Sequence, residues 1–568
     1  MHDLVIRSGS VVDGTGGPAR NADIAVDDGV ITEVGKVGAG QREIDADGLV
    51  VAPGWIDVHT HYDGQVTWDP EVTPSSWHGA TTVVMGNCGV GFAPVRPGGE
   101  GFLIELMESV EDIPGTALHE GVDWAWESFP EFLDALDATP RVLDVAAQLP
   151  HAALRAYVMG DRAHEDASAD EVAEMSRLTE EALRAGAAGF TTSRTEVHFS
   201  KHGLIPGTVA PTDELVAIGE AFRRAGRRGV FQFISDRYLQ YYENMPAAER
   251  DWIPEVARAS GARMTFLLLQ SDRCPDGWRG ALDETAAWRS EGLDIVPQVG
   301  SRPVGLLYGL EGTLHPFVKH PTYRNLASLP LDERVAALRT SEVRAALLAD
   351  EPRSHDKVTL RMIQNWDRIF PLGDPPDYEP SPDTGARAVA EREGRTPQEV
   401  VLDWLLEREG KALLYSPTAG YANFSHDDIR EMIEHPLTVL GLSDGGAHCG
   451  VVCDASMTTF LLTHWARDRT RGEKIPLERV VHLQTARQAN LYGFGDRGTI
   501  EPGKRADLNL IDFEGLALHA PEMRFDLPAG GKRLVQRVDG YEATIVAGEV
   551  TYERGEPTGA RPGRLVRS

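Results

Sequence analysis

The chain reads as an α/β protein, a (β/α)8 TIM-like barrel with a small β-sandwich domain formed by both chain ends. Three observations predict this. Strand-and-turn patterns stand at both ends, apolar strand-like runs alternate with helical stretches between them, and a His-x-His pair closes the first of those runs.

The end segments come first. Leu4-Val5-Ile6-Arg7, Val11-Val12, Ile24-Ala25-Val26 and Ile31 are separated by Gly9, Asp13-Gly14 and Asp27-Asp28-Gly29. Apolar alternation around Asp-Gly turns signals hairpins. The run from Ala506 to Ile511, and Ala543-Thr544-Ile545-Val546 leading through Ala547-Gly548-Glu549 into Val550, repeat the pattern. Residues 1–52 and 496–568 are therefore expected to be two halves of one β domain bracketing a barrel over 53–495.

Within the barrel segment, eight candidate strands lie near 55–59, 81–86, 143–149, 187–193, 229–235, 263–270, 293–299 and 438–444. Active sites of such barrels sit at the C-terminal strand ends. An insertion over 305–435 separates strands seven and eight, with helical stretches near 331–349 and 397–408. Insertions at that rim form lids and pockets. The run 411–416 offers itself as a ninth strand.

Bulk properties narrow the function class. The chain has 568 residues, and single cores stop growing near roughly 250–300 residues, which fits one large and one small domain. A net charge of −31 argues against nucleic acid and anionic membrane surfaces, both of which need a basic face. Four cysteines (Cys88, Cys274, Cys449, Cys453) in so long a chain are not a disulfide scaffold. With neither a signal-peptide pattern nor an 18-residue apolar stretch, the expectation is a cytoplasmic protein acting on a small molecule, as a monomer or a homo-oligomer.

The chemistry concentrates at strand ends. His59 and His61 are two apart on one strand and point to the same face, so both imidazoles reach one metal. Two structural histidines on a loop is the plainer reading. Cys88 closes the second strand between glycines, and a thiolate is a zinc ligand at ~2.3 Å. Otherwise it is a small buried apolar residue. Asp444 ends the eighth strand as Ser443-Asp444-Gly445, a motif that alone is an ordinary turn.

Taken together these motifs resemble the amidohydrolase superfamily, in its N-acyl-D-amino-acid deacylase (D-aminoacylase) branch. The likeness rests on Val51 to His61, Gly79 to Gly89, Leu149-Pro150-His151-Ala152-Ala153-Leu154-Arg155, Ala185 to Ser193, Gly441 to Gly445, and Arg497 to Leu508. It implies a hydrolase of amide or cyclic-amide C–N bonds that uses zinc or another divalent ion, one ion here. The implied ligands are His59, His61, Cys88 and Asp444, with Asp444 also the general base toward a metal-activated water. Other hydrolytic or lyase chemistry on the same barrel, or a metal-free homologue, are the competing readings.

Two departures matter. The family's fifth and sixth strands each end with a histidine ligand, whereas here they read Phe231-Gln232-Phe233-Ile234-Ser235 and Leu267-Leu268-Leu269-Gln270. The family's substrate-carboxylate cations are also missing, their places taken by Gln270-Ser271-Asp272-Arg273 and by Gly446-Ala447-His448-Cys449. N-acyl-D-amino acids themselves are thus expected to be poor substrates. His151, Gln270, Arg273 and His448 are the candidate substrate contacts.

Overall fold

The structure, a computed structural model, describes residues 1–227, 229–236, 248–354 and 357–568. At its centre lie eight parallel strands, hydrogen-bonded in chain order: Trp55–Asp57, Ala80–Met85, Asp144–Pro150, Gly189–Arg194, Val230–Ser235, Arg263–Leu267, Ile295–Val299 and Val439–Leu440. Nearly every residue in them is buried, which is why they read as continuous apolar runs. Amphipathic helices such as Ala169–Ala185, Thr212–Ala225 and Gly277–Ser290 cover the sheet. The first of these starts at Ser168, whose hydroxyl accepts from the Glu171 N–H in a capping box.

The sheet curls as in a TIM-like barrel. Beyond the strands proper, the first and last runs are joined. The Asp444 N–H donates to the His59 carbonyl at 3.1 Å, and the His61 N–H donates to the Gly445 carbonyl at 2.7 Å. Ser443 adds a hydroxyl bond to the Asp57 carboxylate.

Strands from both chain ends share one nine-stranded sheet. Its hairpins turn at Asp28-Gly29 and Ala547-Gly548, all four residues having positive φ. Two left-handed central residues match the right-handed twist of the flanking strands. Leu4, Ile6, Ile24, Leu508, Leu510 and Ile545 form a core of their own. Two further pieces of the C-terminal segment reach the barrel. In the hairpin of Glu522–Leu527 and Gly531–Val535, the Leu534 N–H donates to the Cys449 carbonyl at 2.6 Å. The tail at Val566 donates to the Val145 carbonyl on the third strand at 2.7 Å.

Between strands seven and eight the chain builds a separate antiparallel sheet from Val304–Tyr308, Phe370–Pro371 and Leu414–Ala419, backed by helices including Leu331–Arg339, Ser341–Ala349 and Pro397–Leu406. The run offered as a ninth barrel strand therefore belongs to this sheet, since both of its partners run antiparallel to it. Among the described residues, no helix is long and apolar enough to cross a membrane.

Asp144, fully buried at the start of the third strand, ties these parts together. It accepts from Arg497 at 2.7 Å, Arg505 at 2.9 Å and the Arg564 backbone N–H at 2.8 Å. Removing one partner of a buried ion pair typically costs about 3–5 kcal/mol, because the remaining charge is left uncompensated. Asp144→Ala is therefore expected to lower the thermal unfolding midpoint and free the C-terminal tail for proteolysis. A variant as resistant as the parent to heat and protease would show that this clamp carries no weight.

Candidate metal centre

The second strand ends in the turn Gly86-Asn87-Cys88-Gly89. Gly86 must be glycine: its φ is +83°, and a Cβ would lie 2.4 Å from the Gln148 carbonyl oxygen. Cys88 is also left-handed, at φ +59°, and its N–H donates to Gln232 Oε1 at 3.2 Å. This curl brings the thiol to the histidines of the first strand. Cys88 Sγ lies 3.3 Å from His59 Nε2 and 3.7 Å from His61 Nε2. From the far end of the sheet Asp444 brings Oδ1 to 3.4 Å from His59 Nε2 and 3.7 Å from His61 Nε2. Two imidazole nitrogens, a sulfur and a carboxylate oxygen thus converge from three strand ends.

The groups around them fix their orientation. His59 Nδ1 lies 3.1 Å from Gln298 Oε1. An amide oxygen only accepts, so the ring proton sits on Nδ1 and the Nε2 lone pair faces the cluster. His61 Nδ1 faces Glu111 Oε1 at 3.4 Å, yet neither atom makes a hydrogen bond. The other Glu111 oxygen lies 3.5 Å from His448 Nε2, and the Glu111 carbonyl accepts from the His448 N–H. Next to it, Asp112 accepts from the Gly450 N–H at 3.0 Å. The end of the helix Glu100–Glu111 thereby grips the 448–450 loop.

Electrostatically this is a buried acidic pocket around two imidazoles. Burial pulls His59 down to about 4. Burial also opposes the charged form of His61, but Glu111 and Asp444 lift it to about 9. Burial pushes the Cys88 thiol well above its usual value. It likewise raises Asp57 to about 7 and Asp63 to about 6. For Asp444, His61 and His59 overcome burial and hold the carboxylate well below the usual range. Four ligand-type atoms turned toward one another beside clustered carboxylates are what a cation would satisfy. The donor set of nitrogen, thiol and carboxylate suits zinc.

His59, His61 and Cys88 are buried, while the Asp444 and His448 side chains keep 15% and 29% exposure and so form the open side of the pocket.

The remaining candidate contacts are His151, Gln270 and Arg273. His151 is fully buried with both ring nitrogens engaged, to Thr192 at 2.9 Å and Glu214 at 2.8 Å, so it anchors the fold and does not face a substrate. Gln270 is equally buried. Its amide donates to Asp428 at 2.6 Å and accepts from the Ala422 N–H at 3.0 Å, fastening strand six to the insertion. Arg273 is exposed on the 271–274 turn. Asp272 is ion-paired with Arg368 of the insertion at 3.0 Å. The sequence reading missed Glu111, Gln232 and Gln298. For the two glutamines a signal existed, each being a polar residue inside an apolar strand, whereas Glu111 lies in an acidic helix that reads as a solvated face.

Fold and site together define a class, a curled parallel α/β sheet with ligand-type side chains gathered at its C-terminal strand ends. The amidohydrolase family model matches residues 42–552. The chain is 29% identical to an N-acyl-D-aspartate deacylase of Alcaligenes xylosoxydans xylosoxydans, over 99% of this chain and 95% of that one. It is 37% identical to an allantoinase of Rubrobacter xylanophilus, over 100% and 97%. The crystal structure of N-acyl-D-glutamate deacylase from Bordetella bronchiseptica, complexed with zinc and a phosphonate inhibitor, superposes with a TM-score of 0.66 at 23% identity and full coverage of both chains. The protein belongs to the amidohydrolase family and is a hydrolase.

The His151 network makes a pH prediction. Although burial opposes ionisation, His151 and Arg155 hold Glu214 down at about 2. A carboxylate lowered from ~4.3 contributes stability that is present above the unfolded value and is lost as pH falls through the folded one, about 3 kcal/mol in all. Burial also holds His151 below its ordinary value, so its share begins to fade at a higher pH. The melting temperature is expected to fall below pH ~4.5 more steeply in the parent than in Glu214→Gln. Parallel pH profiles would refute the assignment.

Proposed function

We propose that this protein is a metal-dependent hydrolase cleaving the C–N bond of an uncharged amide or cyclic amide. In this reading a single zinc-like ion is held by His59, His61, Cys88 and Asp444. The observation that carries it is the convergence of His59 Nε2, His61 Nε2, Cys88 Sγ and Asp444 Oδ1, with contacts of 3.3–3.7 Å. Residues 1–52 and 496–568 are read as one β domain around a closed (β/α)8 barrel over 53–495, with 305–435 its insertion.

When bound, such an ion polarises the scissile carbonyl and lowers the pKa of water to about 7. The protein's own groups do the rest. Gln298 fixes the tautomer of His59, and Glu111 faces the far nitrogen of His61, as carboxylates do behind ligating imidazoles. Asp444, held anionic, takes the proton of the attacking water on a carboxylate oxygen and returns it to the departing nitrogen. His448 on the open side is placed to contact the substrate.

The substrate reading rests on charge. Asp272, near the place of the family's lysine, is ion-paired with Arg368 of the insertion, so that cation is already neutralised. A substrate carboxylate arriving there would meet a spent cation and an acidic group. The likeness to an allantoinase supports the cyclic-amide arm.

Two outcomes test this. His59→Ala/His61→Ala should lose the barrel-end ion, counted by mass spectrometry, and Asp444→Asn should lower kcat by about 10²–10⁴-fold. An unchanged ion content or an unchanged kcat would overturn the site. Second, uncharged amides and cyclic amides should be turned over in preference to N-acetyl-D-glutamate and N-acetyl-D-methionine. If kcat/KM for those acids exceeded ~10⁴ M⁻¹s⁻¹, a plain deacylase would replace this reading.

A further inference from the structure

A second group of ligand-type side chains lies outside the barrel-end site and shares no residue with it. Glu379 comes from the insertion, and His426 precedes the helix Asp427–Glu434. His464 comes from the π-helix Leu461–Asp468 that follows strand eight. His426 Nδ1 lies 3.1 Å from His464 Nε2. Glu379 Oε2 lies 3.4 Å from His464 Nε2 and 3.8 Å from His426 Nδ1. We propose that these three residues form a second divalent-metal site, for zinc or a similar first-row ion, that braces the insertion against the two helices flanking strand eight.

The spacing is what such an ion requires. Metal–ligand bonds of ~2.0–2.1 Å in a tetrahedron place neighbouring ligand atoms about 3.3–3.4 Å apart. The three observed edges scatter around that value. One proton can satisfy only one edge of this triangle, whereas one ion satisfies all three. Two imidazoles with one carboxylate are a zinc-type or iron-type donor set.

The surroundings prepare the ligands. Burial, with His464 and Arg469 beside it, keeps His426 far below its usual value, so its ring is neutral. Burial alone would raise Glu379, but hydrogen bonds from His464 and Arg469 hold it ionised. The Arg469 guanidinium donates to Glu379 Oε1 at 2.9 Å and Oε2 at 3.1 Å, and the His426 backbone N–H donates to Oε1 at 2.8 Å. Ligating carboxylates are commonly hydrogen-bonded in this way. Arg469 shares its charge with Asp427, also at 2.8 Å, so it does not fully neutralise Glu379. Arg471 binds the Glu379 and Tyr421 region through a carbonyl and a phenol, leaving the carboxylate free of a second guanidinium. The His464 ring stacks on Phe460 with centroids 4.5 Å apart, which fixes its plane. Its side chain is 16% exposed, giving an entry path and room for a water as fourth ligand. A π-turn widens a helix locally and recurs at functional positions.

The test counts ions in the full-length protein, stripped with chelator, reloaded with zinc or cobalt and desalted. His59→Ala/His61→Ala is expected to keep one ion per chain, and the same variant with His464→Gln none. His464→Gln alone should lose one ion relative to the parent while staying monodisperse. Cobalt in His59→Ala/His61→Ala should give visible d–d bands without the thiolate charge-transfer band that Cys88 would produce. That spectrum needs no change at His464, so it stands even where the His464 variant fails to fold. An ion-free His59→Ala/His61→Ala protein, an unchanged ion count in His464→Gln, or a thiolate band in the cobalt spectrum would each overturn the second site. The ion lost with His59 and His61 reports on the barrel-end site, and the ion that remains reports on this one, so the two proposals fail separately.

Discussion

The hydrogen-bonded seam between the first and eighth strand ends is the constraint on which the candidate site depends. Asp444 donates its backbone N–H to His59, and His61 donates its own to Gly445. Those two bonds join residues nearly four hundred positions apart and set the carboxylate of Asp444 beside both imidazoles. Ser443 reinforces the seam through Asp57 and the His59 carbonyl. Everything between the two strands, the insertion included, must be accommodated without moving this junction. The insertion's apolar cluster around Leu310, Tyr323, Leu338 and Leu405 also takes in Val451 and Val452 of the loop after strand eight.

Much of this architecture was legible in the chain. Buried parallel strands must be apolar on both faces, so each of the eight runs announced itself, and the Asp-Gly and Ala-Gly hairpins follow from the need for positive φ. His59, His61, Cys88 and Asp444 were legible because strand ends in this fold converge on one face. What the sequence does not carry is the partner of a polar residue distant in the chain. His151 looked like a site residue from its motif, yet Glu214 and Thr192 occupy both its nitrogens. Gln270 likewise had its partners, Asp428 and Ala422, in the insertion. Glu111 went unseen for the converse reason, since an acidic helix end reads as solvated until tertiary packing buries it.

The absence of histidine at the ends of strands five and six is offset in kind. Gln232 stands on strand five, but its amide oxygen holds the Cys88 backbone. Strand six offers Leu267 and Leu268 to the core. Ligand-type groups gather on another side, where Glu111 of the second-strand helix approaches His61 and His448 of the eighth-strand loop approaches Glu111. Among the described residues, charged groups thus crowd the pocket at the ends of strands one, two and eight.

Backbone strain points to the same residues. Cys88, Leu442, Asp444 and His448 all have positive φ, as do their neighbours Gly86, Gly89 and Gly446. A non-glycine residue in that region costs roughly 1–2 kcal/mol, which glycine avoids. A rim that served only to turn the chain could use glycine at each of these positions, as it does at the neighbouring ones. Leu442 recovers its cost by packing into the main apolar core. Cys88, Asp444 and His448 carry polar side chains into a pocket where burial is itself unfavourable. At these three positions the left-handed backbone aims a polar side chain into the pocket, so the strain there is tied to placing those groups and not to turning the chain alone.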